Sequence, residues 1–192
     1  MAEKRYSENG MNSITKFLTE TMTTGARLTR DFYTRDVLDV APEIPGKIMV
    51  VRLADRSFGR YIITEVEAYR GTEDKACHAS KGRTVRTEIM YHEGGRLYIY
   101  FIYGIYWMLN IVTEHEGIPQ AVLIRGVENY PGPGKLTRSL GIDKSFYGED
   151  LVSSERIWIE DTGFKPPVKN STRIGVDYAG EYWKSRPWRY FI

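Results

Sequence analysis

The stretch Tyr61-Ile62-Ile63-Thr64-Glu65-Val66-Glu67-Ala68-Tyr69 has the composition of a β-strand, rich in β-branched and aromatic residues. In an extended chain Glu65, Glu67 and Tyr69 share one face, while Val66 and Ala68 take the other. Just before it, residues 47–53 form a second β-branched run, and Asp55-Arg56-Ser57 between them is a turn, so the pair predicts a hairpin. Strand patterns recur over residues 97–112, interrupted at Gly104, and over 120–127, with short late strands at 158–160 and 173–176. Helical patterns are brief. One covers residues 28–40 and is stopped by Pro42 and Pro45; another opens after the breaker Gly132-Pro133-Gly134 and covers 135–140. The sum is an α+β chain, a single domain built on a curved antiparallel β-sheet with flanking short helices. Residues 1–26 are polar and Thr/Ser-rich, which predicts a flexible N-terminal arm and leaves 27–192 as the domain. No internal repeat or low-complexity tract interrupts it.

Composition narrows the class. The chain of 192 residues is 42% hydrophobic, enough for one well-formed core and marginal for two. An aromatic share of 13% argues against intrinsic disorder. The formal net charge is +2, low for a non-specific nucleic-acid binder, although an enzyme directed to one DNA site needs only a local basic face. The single cysteine, Cys77, excludes an intrachain disulfide and suits a reducing compartment. The N-terminal residues lack a signal-peptide core. The longest apolar stretch, 97–112, is too short for a membrane span of about 20 residues. A soluble intracellular protein is expected.

Three segments carry candidate chemistry. On the acidic strand, residues two apart lie roughly 6.6–7 Å apart. That is near the roughly 6.5–9.5 Å used by inverting sugar hydrolases. One carboxylate could thus activate a water beside the Tyr69 ring, but the segment by itself favours an ordinary solvated face. Between Tyr98 and Trp107 lie Tyr98, Tyr100, Phe101, Tyr103, Tyr106 and Trp107. Such a ribbon reads equally as a core hairpin or as a stacking platform whose protruding tip enters a DNA stack. Lys81, Arg83, Arg86 and Arg96 form a basic loop, either solvated or clamping phosphates. Cys77 and His78 lack the partners of a zinc pattern, so no metal and no cofactor are expected. Gly132-Pro133-Gly134-Lys135-Leu136-Thr137 fails the nucleotide phosphate-loop pattern because Leu136 follows the lysine.

Taken in order, these segments resemble the alkyladenine (3-methyladenine) DNA glycosylase family. The matching text is Glu65-Val66-Glu67-Ala68-Tyr69, Ala76-Cys77-His78-Ala79-Ser80, Arg83-Thr84-Val85-Arg86 and residues 97–106. Leu109-Asn110-Ile111, residues 121–125, Gly132-Pro133-Gly134-Lys135-Leu136-Thr137, Arg173-Ile174-Gly175-Val176 and Pro187-Trp188-Arg189 complete it. The resemblance runs from about residue 28 to the C-terminus, and the ordered set is far more specific than any one motif.

The resemblance implies a base-excision repair enzyme that flips an alkylated, deaminated or etheno purine from duplex DNA and cuts its N-glycosidic bond. In that reading Glu67 is the general base that polarises water, and Arg125 helps hold water and carboxylate. Tyr69 on one side, with His78 and Tyr100 on the other, sandwiches the base. Asn110 stands at the gate that disfavours the amino group of guanine. Tyr103 intercalates from the tip of a protruding β-hairpin, and Arg83 and Arg86 contact phosphates. No lysine matches a nucleophile position, so base removal without strand cleavage by a monomer is expected. The chain departs from the pattern in two places. Only Asn129-Tyr130-Pro131 joins Glu128 to Gly132, where the family has a longer connection with a helix, and Val85 stands where proline is common. Two other functions are weighed: a damage-binding protein that flips without cutting, and a hydrolase of sugars or small nucleosides using Glu65 with Glu67.

Overall fold

The computed structural model describes residues 25–192. Ten strands form one sheet with antiparallel pairing throughout: β1 (Ala26–Arg27), β2 (Ile48–Arg52), β3 (Phe58–Arg70), β4 (Leu97–Ile102), β5 (Tyr106–Thr113), β6 (Gln120–Val127), β7 (Tyr130–Pro131), β8 (Ile157–Asp161), β9 (Lys169–Ser171) and β10 (Arg189–Phe191). The order is β1-β8-β2-β3-β6-β5-β4, with β7 on β6 and β10 joining β3 to β9. The helices are short: α1 (Arg30–Tyr33), α2 (Val37–Val40), α3 (Pro133–Ser139) and α4 (Glu181–Lys184). This is the expected α+β single domain on an antiparallel sheet. No helix among the described residues is long and apolar enough to cross a membrane.

Strand β3 is the hub. It pairs with β2 along residues 58–62, with β6 along 63–70 and with β10 along 65–67. A register irregularity between Ile63 and Val66 bends it, as a bulge does. Beyond the bulge, strict alternation sorts the side chains. Val66 and Ala68 on β3, Leu97 and Ile99 on β4, Leu109 and Ile111 on β5, and Val122 and Ile124 on β6 all enter the main apolar core, closed by residues of α1, α2 and α3. The intervening residues project from the opposite face. The register Glu67↔Leu123↔Asn110↔Tyr98 runs a row across four strands there. Three inter-strand steps of this kind span roughly 14 Å.

Several details differ from the sequence expectation. Residues 28–40 form two single helical turns rather than one helix, because Thr34 and Arg35 leave the helix and Asp36 caps α2 through its side chain. Residues 173–176, expected as a strand, form none; Gly175 takes φ +75 and the neighbouring polar groups are used elsewhere. Ala26, placed in the arm from the sequence, pairs with Asp161; residues 1–24 lie outside the described residues. The hairpin about Gly104 is present. Tyr103 (φ 51) and Gly104 (φ 66) turn left-handed between Ile102 and Tyr106, a conformation that suits glycine best.

Candidate active site

Residues 71–92 cover the polar face of the sheet with turns and short 3-10 segments, and the gap beneath them is a small cavity of about 40 Å³. Tyr69, His78, Tyr100 and Asn110 all line it, with Tyr98 and Met90. That is well below the several hundred Å³ of a typical small-molecule site. Next to it is a wider cleft of about 540 Å³, which Tyr69, His78 and Tyr100 also border and to which Tyr103, Lys81 and Arg125 are added.

Glu67 is completely buried; it lines neither the cavity nor the cleft but is bonded to Tyr69, which lines both. The Tyr69 hydroxyl donates to its Oε2 at 2.8 Å, and the Ile174 N–H donates to Oε1 at 2.8 Å. Arg125 Nη1 approaches Oε1 at 3.3 Å. Burial pushes the carboxyl above its ordinary value; Arg125, the Ile174 N–H, the Tyr69 hydroxyl and Arg173 pull it partly back. An ionised carboxylate offers about four lone-pair sites. Two are filled by the Tyr69 and Ile174 hydrogen bonds, and Arg125 adds an ion pair. Glu65, two residues earlier on the same face, is held differently. It accepts from Arg125 Nε at 3.0 Å and Arg189 Nη1 at 3.1 Å. It borders neither cavity. The two carboxylates of the paired reading are held by different partners: Glu65 by Arg125 and Arg189, Glu67 by the Tyr69 hydroxyl, the Ile174 N–H and Arg125.

The aromatic walls are locked. His78 Nδ1 lies 2.9 Å from the Tyr98 hydroxyl, and the His78 ring meets Tyr100 edge-on at 4.6 Å between centroids. Burial first, then Arg86 and Lys81, push the imidazole down to about 4, so at neutral pH it is an uncharged ring. Asn110 donates Nδ2 to the carbonyls of Tyr98 at 3.0 Å and Met108 at 3.3 Å, which fixes the orientation of its amide. At the hairpin tip Tyr103 is 85% exposed, and Ile105 beside it is exposed too, an apolar point that nothing in the fold covers. Of the two loop arginines, Arg83 is paired with Glu88 (Nε–Oε2 2.8 Å), and Arg86 lies over the Tyr100 ring at 5.0 Å.

The profile of the methylpurine-DNA glycosylase family matches residues 31–131 and 128–192. Proteins of similar sequence share 42% identity over 172 residues in Rickettsia felis (86% of this chain, 92% of the relative) and 41% over 184 residues in Methanocella arvoryzae (85% and 91%). A third, from Wolbachia pipientis wMel, is 44% identical over 167 residues (82% and 89%). All three carry the name "Putative 3-methyladenine DNA glycosylase". The chain belongs to the methylpurine-DNA glycosylase family.

The two stretches matched by the methylpurine-DNA glycosylase profile meet at residues 128–131, where the sequence connection is short. Here Val127 pairs with Tyr130 and only Glu128 and Asn129 make the turn, Asn129 adopting φ 68. Sequence reading left other site residues without a role. Arg173 and Asp74 form a fully buried ion pair (Nη2–Oδ1 2.9 Å). The Arg173 guanidinium lies 4.9 Å from the Tyr69 ring centroid and 5.0 Å from that of Trp188. Tyr178 borders both cavities and donates its hydroxyl to the Ala76 carbonyl at 2.9 Å. The family-like text around Arg173 was the available signal for the first of these; Tyr178 had none.

Proposed function

We propose that this chain is a DNA glycosylase that flips 3-methyladenine and other damaged purines out of duplex DNA and hydrolyses the N-glycosidic bond, leaving an abasic site. The observation that carries this reading is Glu67: a fully buried carboxylate held by Tyr69 of the aromatic cavity wall, by the Ile174 N–H and by an ion pair with Arg125, which borders the outer cleft. The flipped base stacks between Tyr69 and the His78–Tyr100 pair, while Tyr103 fills the gap it leaves. Damaged bases pair and stack poorly, so their extrusion costs less. Ionised Glu67 takes the proton of a water whose oxygen attacks C1′, and its charge stabilises the oxocarbenium-like sugar. The purine departs with the bonding electron pair; an alkylated cationic purine thereby becomes neutral. Arg125, itself held by Glu65, keeps Glu67 and the water in line. Lys75 and Lys81 stand exposed at the rim of the outer cleft rather than at Glu67, which favours base removal without strand cleavage. A monomer working inside the cell is part of the same reading, since one chain supplies every group named.

The test is a duplex carrying a single hypoxanthine or 3-methyladenine. Free base and alkali-labile abasic sites, with no borohydride-trapped protein–DNA adduct, are the expected products. Tight binding to the damaged duplex with no base released would replace this reading with that of a damage-binding protein.

A further inference from the structure

Both aromatic walls of the cavity are backed by a guanidinium: Arg173 behind Tyr69 and Arg86 behind Tyr100. Neither arginine borders the cavity or the outer cleft, whereas both tyrosines border both. The two differ in compensation. Arg173 is neutralised by buried Asp74, as Arg125 is by Glu65 and Glu67 and Arg83 by Glu88. Among the described residues no carboxylate lies within ion-pairing distance of Arg86.

We infer that Arg86 is a specificity-determining residue: its uncompensated charge, held over the Tyr100 ring, penalises cationic bases in the cavity relative to neutral ones. The inference rests on the glycosylase reading above and deepens it. A guanidinium already drawn to the Tyr100 ring leaves less π-density for a second cation there. It also repels such a cation directly. With Arg86 5.0 Å from the ring and a stacked base about 5 Å beyond it, the two charges lie within about one Debye length. The neutral state of His78 reports the same field, since Arg86 and Lys81 add to burial in disfavouring the imidazolium. An alkylated purine nucleotide is cationic, whereas a deaminated or etheno purine is neutral, so Arg86 tilts the cavity toward the second class. Its main chain is tethered by the Tyr147 hydroxyl, which donates to the Arg86 carbonyl at 3.4 Å.

The experiment compares single-turnover kcat/KM on two duplexes, one with cationic 7-methylguanine and one with neutral hypoxanthine, for wild type, Arg86→Gln and Arg86→Lys. Arg86 is exposed, so both variants should fold. Arg86→Gln is expected to raise the cationic-to-neutral ratio by about 2- to 10-fold, and Arg86→Lys, which keeps the charge, to stay near wild type. Equal losses on both duplexes, with a shallower salt dependence, would make Arg86 a phosphate contact and overturn the inference; so would an unchanged or falling ratio. If wild type cleaves neither duplex, the glycosylase reading fails separately, and the same ratio is read from equilibrium binding to the two duplexes.

Discussion

Along β3, Val66 and Ala68 enter a dry core while Glu67 and Tyr69, one residue away, project from the opposite face, where Tyr69 lines a cavity and holds the buried Glu67 carboxylate. The same alternation repeats on β4, β5 and β6. The core face is held by apolar contacts that any well-packed sheet makes, and its partners are neighbours in the ladder. The site face is held by single polar contacts from distant segments: the Ile174 N–H on Glu67, Asp74 on Arg173, the Tyr98 hydroxyl on His78. One face therefore sets stability in bulk, and the other sets geometry contact by contact.

The comparison breaks hardest where a polar contact is as buried as the core. Asp74→Ala strands the Arg173 charge between Tyr69 and Trp188 and should cost about 3–5 kcal/mol, read by denaturant unfolding. Ile124→Ala on the core face should cost about 2–5 kcal/mol and lower binding and activity only as far as it unfolds the protein. Loss of activity at full folding by Ile124→Ala would show that the two faces are not separable. At the exposed extreme, Tyr103→Ala should change stability by less than about 0.5 kcal/mol. It should nevertheless weaken binding to a damaged duplex by about 1–3 kcal/mol, measured by titration. The smallest effect is a displacement along the pH axis. Because burial raises the Glu67 carboxyl, activity that needs its ionised form should fall off on the acid side above the usual glutamate value of about 4.3. Stability has the opposite sign: the Glu67 contribution is full below the unfolded-state value and is lost as pH rises through the raised folded one. An acid limb at or below the ordinary value would mean that a different group titrates.

Local pattern exposed the ladder and concealed the cross-links. The alternation around Glu67 was visible because a strand repeats every two residues, and Gly104 marked the hairpin because its turn needs a left-handed backbone. The bulge near Glu65 left no mark in the residue types. Arg173-Ile174-Gly175-Val176 has β-branched residues and predicted a strand, yet Ile174 gives its N–H to a carboxylate 107 residues away and Arg173 reaches Asp74. Such demands are long-range and cannot alter a local pattern. β9 and β10, three residues each, are too short to carry one. Glu65 and Glu67 looked alike in the strand; their separation into an arginine holder and a fully buried carboxylate bonded to Tyr69 and Ile174 follows from which partners the fold brings to each.

The central claim is that Glu67 supplies the base for hydrolysis, and its most direct test is single-turnover base release by wild type and Glu67→Gln, with damaged-duplex binding measured on both. Gln keeps the shape and sheds the buried charge, so the variant should fold at least as well and still bind. Release should fall by about 10²–10⁴-fold. Release within a few-fold of wild type by a folded, binding Glu67→Gln would contradict the account.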